Sequence, residues 1–193
     1  MTATMTATIL DARTVHEGWS SFRIVRVRLA DGSVVSREVE DHGDAVAVLP
    51  YDPARRVALL VEQARPAILS AGGPPLLLEA PAGILEDGED PAACARREAQ
   101  EETGVELEAL EPVAALWASP GISTEKIHMF LAPYGDGQRT GAGGGLAGEH
   151  EQIVVHEVAL ADLAARVDSG DIADMKTALL VASLRLRRPE LFR

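Results

Sequence analysis

The chain has 193 residues, of which 47% are hydrophobic and 25% charged, a size and balance that suit one globular domain with a sizeable core. A formal net charge of −12 offers no basic stripe to neutralise a phosphate backbone and argues against a nucleic-acid partner, though bound cations and local arginines would still admit a small anion. The single cysteine, Cys94, excludes an intrachain disulfide; no apolar run is long enough to span a bilayer, and MTATMTATIL lacks the basic start and apolar centre of a signal peptide, so no membrane partner and a cytoplasmic location are expected.

Residues 1–8 show no pattern and read as a disordered N-terminus, followed by a β unit over 9–42 and a main domain over 43–193. From Trp19 to Val39, Phe22, Ile24, Val27 and Leu29 alternate, Asp31-Gly32 intervenes, and Val34, Val35 and Val39 follow; this predicts a β-hairpin. Ala45–Leu49 and Val57–Val61 are apolar strands around the turn YDPARR, and Leu76–Glu79 is a third. A helix follows, then strands at Val113–Trp117 and Ile127–Pro133, joined through SPGISTE. The glycine-rich residues 135–148 lack the G-x-x-x-x-G-K-[ST] pattern of a P-loop and a following helix, and read as a mobile loop. Ile153–Val158 is the last strand, and Ala161–Val167 and Asp174–Arg187 read as helices. The mixed order predicts an α/β class, an α/β/α sandwich with a mixed sheet, preceded by the small antiparallel β unit.

The chemistry is concentrated in Gly83–Val105, GILEDGEDPAACARREAQEETGV. Asp90 and Pro91 suit a helix start and Gly104 a left-handed helix end. Glu98, Glu101 and Glu102 stand at i, i+3 and i+4 and so share one helix face. Three clustered like charges destabilise a bare helix. They make sense beneath divalent cations, and an oxygen-only set favours Mg²⁺, with Mn²⁺ as the substitute. Ala92, Ala95 and Ala99 form a neighbouring stripe for packing on a sheet, Arg97 can reach back to Glu89, and Cys94 reads as a small filler.

Seven fixed positions, Gly83, Glu89, Arg97, Glu98, Glu101, Glu102 and Gly104, match one template without departure. At about 5–10% per residue type, chance agreement is about one window in 10⁸ or rarer, which disfavours a merely solvated acidic helix. The template is the Nudix box, and the chain resembles a Nudix hydrolase, a family that splits diphosphates linked to another group. Over residues 17–182 it is similar to the nucleoside diphosphate sugar pyrophosphatases of the GDP-mannose and ADP-ribose types, through SPGISTEKIHMFLAPY, GDGQRTGAGGG and SGDIADMKTALL.

The resemblance implies a Nudix fold and Mg²⁺-dependent hydrolysis to a nucleoside monophosphate and a sugar phosphate. It adds the Ala82 carbonyl to Glu98, Glu101 and Glu102 as metal ligands. It makes Glu151 the catalytic base, or a fourth carboxylate ligand with Glu149 as base; an ordinary acidic turn is the alternative. Arg37 and Arg65 would grip the diphosphate, and Trp19 would stack on the nucleobase or else pack in the core. Glu79 would contact substrate or position the site, and Glu125 and Lys176 match positions near the sugar or phosphate. His42 stands where relatives often carry another arginine. The resemblance also implies a homodimer with exchanged N-terminal strands, which suits a hairpin poorly able to bury itself alone. The alternatives are a nucleoside triphosphate or dinucleoside polyphosphate substrate, or a non-catalytic ligand-sensing module.

Overall fold

The computed structural model describes residues 6–145 and 152–193. The chain divides into two compact units. The first is the chain up to Asp44 together with Leu116–Ile127; the second is Ala45–Ala115 with His128–Arg193.

The first unit carries a three-stranded antiparallel sheet in the order β1 (Thr8–Glu17), β2 (Ser21–Arg28), β3 (Val34–Asp41). Strands β2 and β3 are the expected hairpin. In its turn Gly32 has φ 86°, and Asp31 Oδ1 accepts from Ser33 N at 2.9 Å. Strand β1 is an addition to that expectation. Of its ten residues only Leu10 is even half-buried, so no burial pattern marks it in the sequence. Its backbone pairing with β2, from Thr8 opposite Arg28 to Glu17 opposite Ser21, makes the strand instead.

The second unit is an α/β/α sandwich around a seven-stranded sheet. The path is β10 (Val154–Ala159), β5 (Val57–Gln63), β4 (Ala45–Asp52), β9 (Lys126–Pro133), β8 (Glu111–Trp117), with β6 (Leu77–Glu79) on β5 and β7 (Ala82–Ile84) on β4. All eight residues of β4 are buried. Successive strand residues face opposite sides, so both faces of the sheet are covered. Val46 and Val48 face helix α2 (Pro91–Thr103), where Cys94, Ala95 and Ala99 complete a core cluster with Leu59. Helix α4 (Met175–Arg187) also packs on β4 and buries Leu180, Val181 and Leu184; at its C-cap the Arg188 guanidinium lies 5.8 Å from the centre of the Tyr51 ring. Helix α3 (Leu160–Ser169) packs on β10 and α4, and Pro189–Phe192 forms a 3₁₀ turn.

Two short elements escape sequence reading. The five-residue helix α1 (Pro66–Ser70) buries none of its residues and has no periodic face. Strand β7 is three residues long and exists through its register with β4, Ala82 opposite Ala47 and Ile84 opposite Ala45. It is the strand that sets the entry to α2. No helix among the described residues is long and apolar enough to cross a membrane.

Candidate active site

Helix α2 has well-made ends. Asp90 Oδ2 accepts from Ala92 N at 3.0 Å and Ala93 N at 3.1 Å, Pro91 opens the first turn, and Gly104 closes the helix at φ 74°. Its buried stripe is Cys94, Ala95, Glu98, Ala99, Glu102 and Thr103. Two of the three box glutamates thus lie in the packed face, Glu98 at 9% and Glu102 at 3% exposure.

Gly83 makes room for this. A Cβ at residue 83 would stand 1.9 Å from Glu98 Oε1, so any side chain there would displace the carboxylate. One residue earlier, Ala82 N donates to Glu102 Oε2 at 3.1 Å. Strand β7 therefore delivers Ala82 and Gly83 directly against two helix carboxylates.

Arg97 ties the loop to the helix. Its Nε donates to Glu89 Oε1 at 3.1 Å and its Nη2 to Glu89 Oε2 at 3.0 Å, a two-pronged carboxylate clamp. Its Nη1 donates to Glu98 Oε1 at 2.6 Å and Glu101 Oε2 at 3.2 Å. The bond from Arg97 holds the Glu89 carboxyl down at about 2, and the Glu89 pair raises Arg97 in turn. Beneath them Cys94 is fully buried, and burial pushes its thiol up to about 12.

Among the described residues no three His, Cys, Asp or Glu side chains are set as a closed metal cage. The Arg97 guanidinium spans Glu98 and Glu101. The donor set nevertheless fits a hard divalent ion. All three groups are carboxylates at helix spacing, two of them held in a buried face beside the glycine-sized gap at Gly83.

A second polar cluster lies at the end of β6. Glu79 is 1% exposed and takes Arg65 in a fork, Nε to Oε1 at 2.7 Å and Nη2 to Oε2 at 3.1 Å. Lys176 Nζ reaches Glu79 Oε2 at 3.2 Å and Asp174 Oδ1 at 2.7 Å. Burial works against the Arg65 charge, but Glu79, with Glu102 and Asp174 further off, outweighs it and raises Arg65 above its ordinary value. Burial likewise opposes the Lys176 charge, and Asp174 and Glu79 override it, so the ammonium is retained. Glu79 is therefore spent on two cations of its own unit. Sequence reasoning misses Asp174 and Thr177, whose signal is the D-x-x-T spacing at a helix start.

The glycine-rich segment, read from sequence as mobile, is anchored over its described part. Gly144 N donates to Glu102 O at 2.9 Å, Gly145 N to Glu101 O at 3.1 Å, and Thr140 N and Gly141 N to Gly104 O at 2.8 and 3.1 Å. Backbone amides of the loop thus satisfy the carbonyls left open at the end of α2. The fit is close enough to require glycine: Gly143 has φ 70°, and a Cβ on it would lie 2.3 Å from Glu102 O. Glu149 and Glu151, a few positions on, lie outside the described residues.

Trp19, Arg37 and Glu125 belong to the first unit. Trp19 is 77% exposed rather than in a core, and its ring stacks on His42 with centroids 5.0 Å apart. His42 Nδ1 lies 2.6 Å from Glu40 Oε1, and its Nε2 3.5 Å from Glu125 Oε1. Burial disfavours the imidazolium, but these two carboxylates raise its pKa overall. Arg37, on β3, donates to Ser36 O at 2.9 Å.

The sequence profile of the NUDIX domain matches residues 41–177. A GDP-mannose pyrophosphatase of Cronobacter sakazakii is 44% identical over 160 residues, 81% of this chain and 82% of the relative. A GDP-mannose pyrophosphatase of Klebsiella pneumoniae is 38% identical over 182 residues, 92% of this chain and 90% of the relative. A solved structure described as an ADP compounds hydrolase superposes with a TM-score of 0.76 at 18% identity, covering 96% of this chain and 95% of its own, which extends the likeness of fold. The chain belongs to the NUDIX family, and it is a Nudix hydrolase.

Two measurements test this geometry. Gly143→Ala forces a Cβ onto a helix carbonyl at positive φ and should destabilise the fold by about 1–3 kcal/mol, read from urea unfolding; an unchanged midpoint would contradict the anchoring. Glu89 is held below its ordinary carboxylate value, so its contribution is present above that value and lost as pH falls towards about 2. The stability gap between the parent and Glu89→Gln should therefore be full near neutrality, about halved near pH 3 and mostly gone by about pH 2. A gap that stays constant over that range contradicts the Arg97 clamp.

Proposed function

We propose that this Nudix hydrolase is a pyrophosphatase of a nucleoside diphosphate sugar, with GDP-mannose the first substrate to test and ADP-ribose the competitor. The observation that carries the reading is the 44% identity to a GDP-mannose pyrophosphatase across 82% of that relative. The complete box supports it, with its carboxylates built into the packed face of α2. Water attacks one phosphorus of the diphosphate, the bridging P–O bond breaks, and a nucleoside monophosphate and a sugar phosphate leave.

The chain's own groups divide the work. Glu98, Glu101 and Glu102, with the Ala82 carbonyl, would hold the divalent ion, Mg²⁺ with Mn²⁺ as substitute. When bound, such an ion polarises phosphoryl oxygens and offsets their charge. Arg65 enters held by Glu79 through Nε and Nη2, so its remaining nitrogen, Nη1, has a fixed direction towards an anion. Lys176 adds a second retained positive charge beside it. Glu79 and Asp174 balance these two cations, so what they offer an anion is directed donors rather than surplus charge. The base is assigned to Glu151, with Glu149 as the alternative, by position in the sequence. Arg37, Trp19 and Glu125 complete the substrate contacts in this reading.

The same reading takes residues 9–42 as a dimerisation unit exchanged between two copies, 43–193 as the hydrolase domain, and the cytoplasm as its location. Support for the dimer comes from the first unit itself. Ile9, Val15, Trp19 and Val34 are 67%, 49%, 77% and 46% exposed, and Val39, Trp117, Pro120 and Ile122 line an apolar hollow. That much open apolar surface on a thin sheet favours a second chain as cover.

Turnover with Mg²⁺ should be faster on GDP-mannose than on ADP-ribose, should stop with a chelator, and should fall at least about a hundredfold in Glu102→Gln while the far-ultraviolet spectrum is kept. Activity on neither substrate sinks the sugar-nucleotide reading, and an active Glu102→Gln sinks the metal assignment. Light scattering should give twice the chain mass; a monomer removes the exchanged-strand dimer.

A further inference from the structure

Thr177 lies in the first turn of α4 and is fully buried. Its hydroxyl has two partners, Ala80 N at 2.6 Å and Asp174 Oδ2 at 2.6 Å. A backbone N–H can only donate, so the hydroxyl accepts from Ala80 and must commit its proton to Asp174. Asp174 Oδ2 also accepts from Thr177 N at 2.9 Å, which fixes the carboxylate as the N-cap of α4. Its other oxygen, Oδ1, takes Lys176 Nζ, and Lys176 leads on to Glu79 and Arg65.

The residues that follow Ala80 are held one after another. Pro81 O accepts from Val48 N at 2.9 Å, and Ala82 N donates to Glu102 Oε2 at 3.1 Å. One hydroxyl therefore sits where two lines meet. One line is the ionic string Arg65–Glu79–Lys176–Asp174. The other is the backbone that carries Ala82 to a box glutamate.

We propose that Thr177 is a positioning residue of the hydrolase site: its hydroxyl, oriented by Asp174, pins the Ala80–Ala82 segment against Glu102 and couples that edge to the Arg65 and Lys176 cations. This rests on the assignment of Glu102 and Ala82 to metal binding given above. Valine has the shape of threonine without the hydroxyl. In Thr177→Val the N–H of Ala80, itself fully buried, loses its acceptor and Asp174 loses a donor. Serine keeps both bonds and loses only a methyl group.

The test is a comparison of Thr177→Val and Thr177→Ser in the full chain. It reads kcat and KM for GDP-mannose, and Mn²⁺ affinity by electron paramagnetic resonance without substrate. Thr177→Val should lower kcat at least about tenfold with KM changed less than about threefold, and weaken Mn²⁺ at least about threefold; Thr177→Ser should stay within about threefold of the parent in each. The proposal is overturned if Thr177→Val matches the parent, or if Thr177→Ser is as impaired as Thr177→Val, since the methyl group would then be what matters. Should Thr177→Val fail to fold, Thr177→Ala takes its place: weakened Mn²⁺ binding in that variant, with Thr177→Ser near the parent, supports the hydroxyl's role, and parental affinity in Thr177→Ala overturns it. If the parent hydrolyses no nucleotide sugar, the substrate reading falls, and the Mn²⁺ series still judges Thr177 by itself.

Discussion

The site depends on carboxylates that have been packed into a helix face rather than left in water. Glu98 and Glu102 occupy the same stripe of α2 as Cys94, Ala95 and Ala99. Burying an uncompensated carboxylate is costly, so every neighbour is arranged around that cost. Gly83 gives up a side chain, Ala82 turns its N–H to Glu102, and Arg97 spreads one guanidinium over three glutamates. The apolar half of the same helix face anchors it to β4 and β5, so the charged half cannot drift from the strand that faces it.

The same logic governs the second cluster. Glu79 is nearly inaccessible, and it is tolerable there because Arg65 and Lys176 both answer it. Asp174 then answers Lys176. Charges alternate along the string, and removing one member of such a set would strand its neighbour in a poorly solvated place. The arrangement fixes the directions of the Arg65 and Lys176 side chains, the preorganisation that the proposed grip on a diphosphate calls for.

Residues 83–105 were legible because their signals are local. A cap, a proline, a terminal glycine and three glutamates at helix spacing can all be read within one short window, and the helix lies where those signals place it. The main strands were legible for a related reason: burial of all of β4 and of the centre of β5 makes continuous apolar runs. What escaped depends on contacts distant in sequence. Strand β1 has no buried face, β7 is defined only by its partner, and Thr177 meets Ala80 across 97 positions. The described part of the glycine-rich loop is tied to α2 by bonds that composition does not register. Gly143 is there for close approach to the end of α2, and backbone-to-backbone bonds leave no mark in side-chain pattern.

Cys94 carries a practical consequence. It is the chain's one cysteine, it is sealed under Arg97, and its thiol is pushed up to about 12, so very little of it is thiolate near neutrality. Maleimides and methanethiosulfonates need the thiolate and access to it. The unaltered chain is thus already a silent background for site-directed labelling. A cysteine introduced on an exposed face, such as β1, would carry the only fluorophore or spin label without first stripping native thiols.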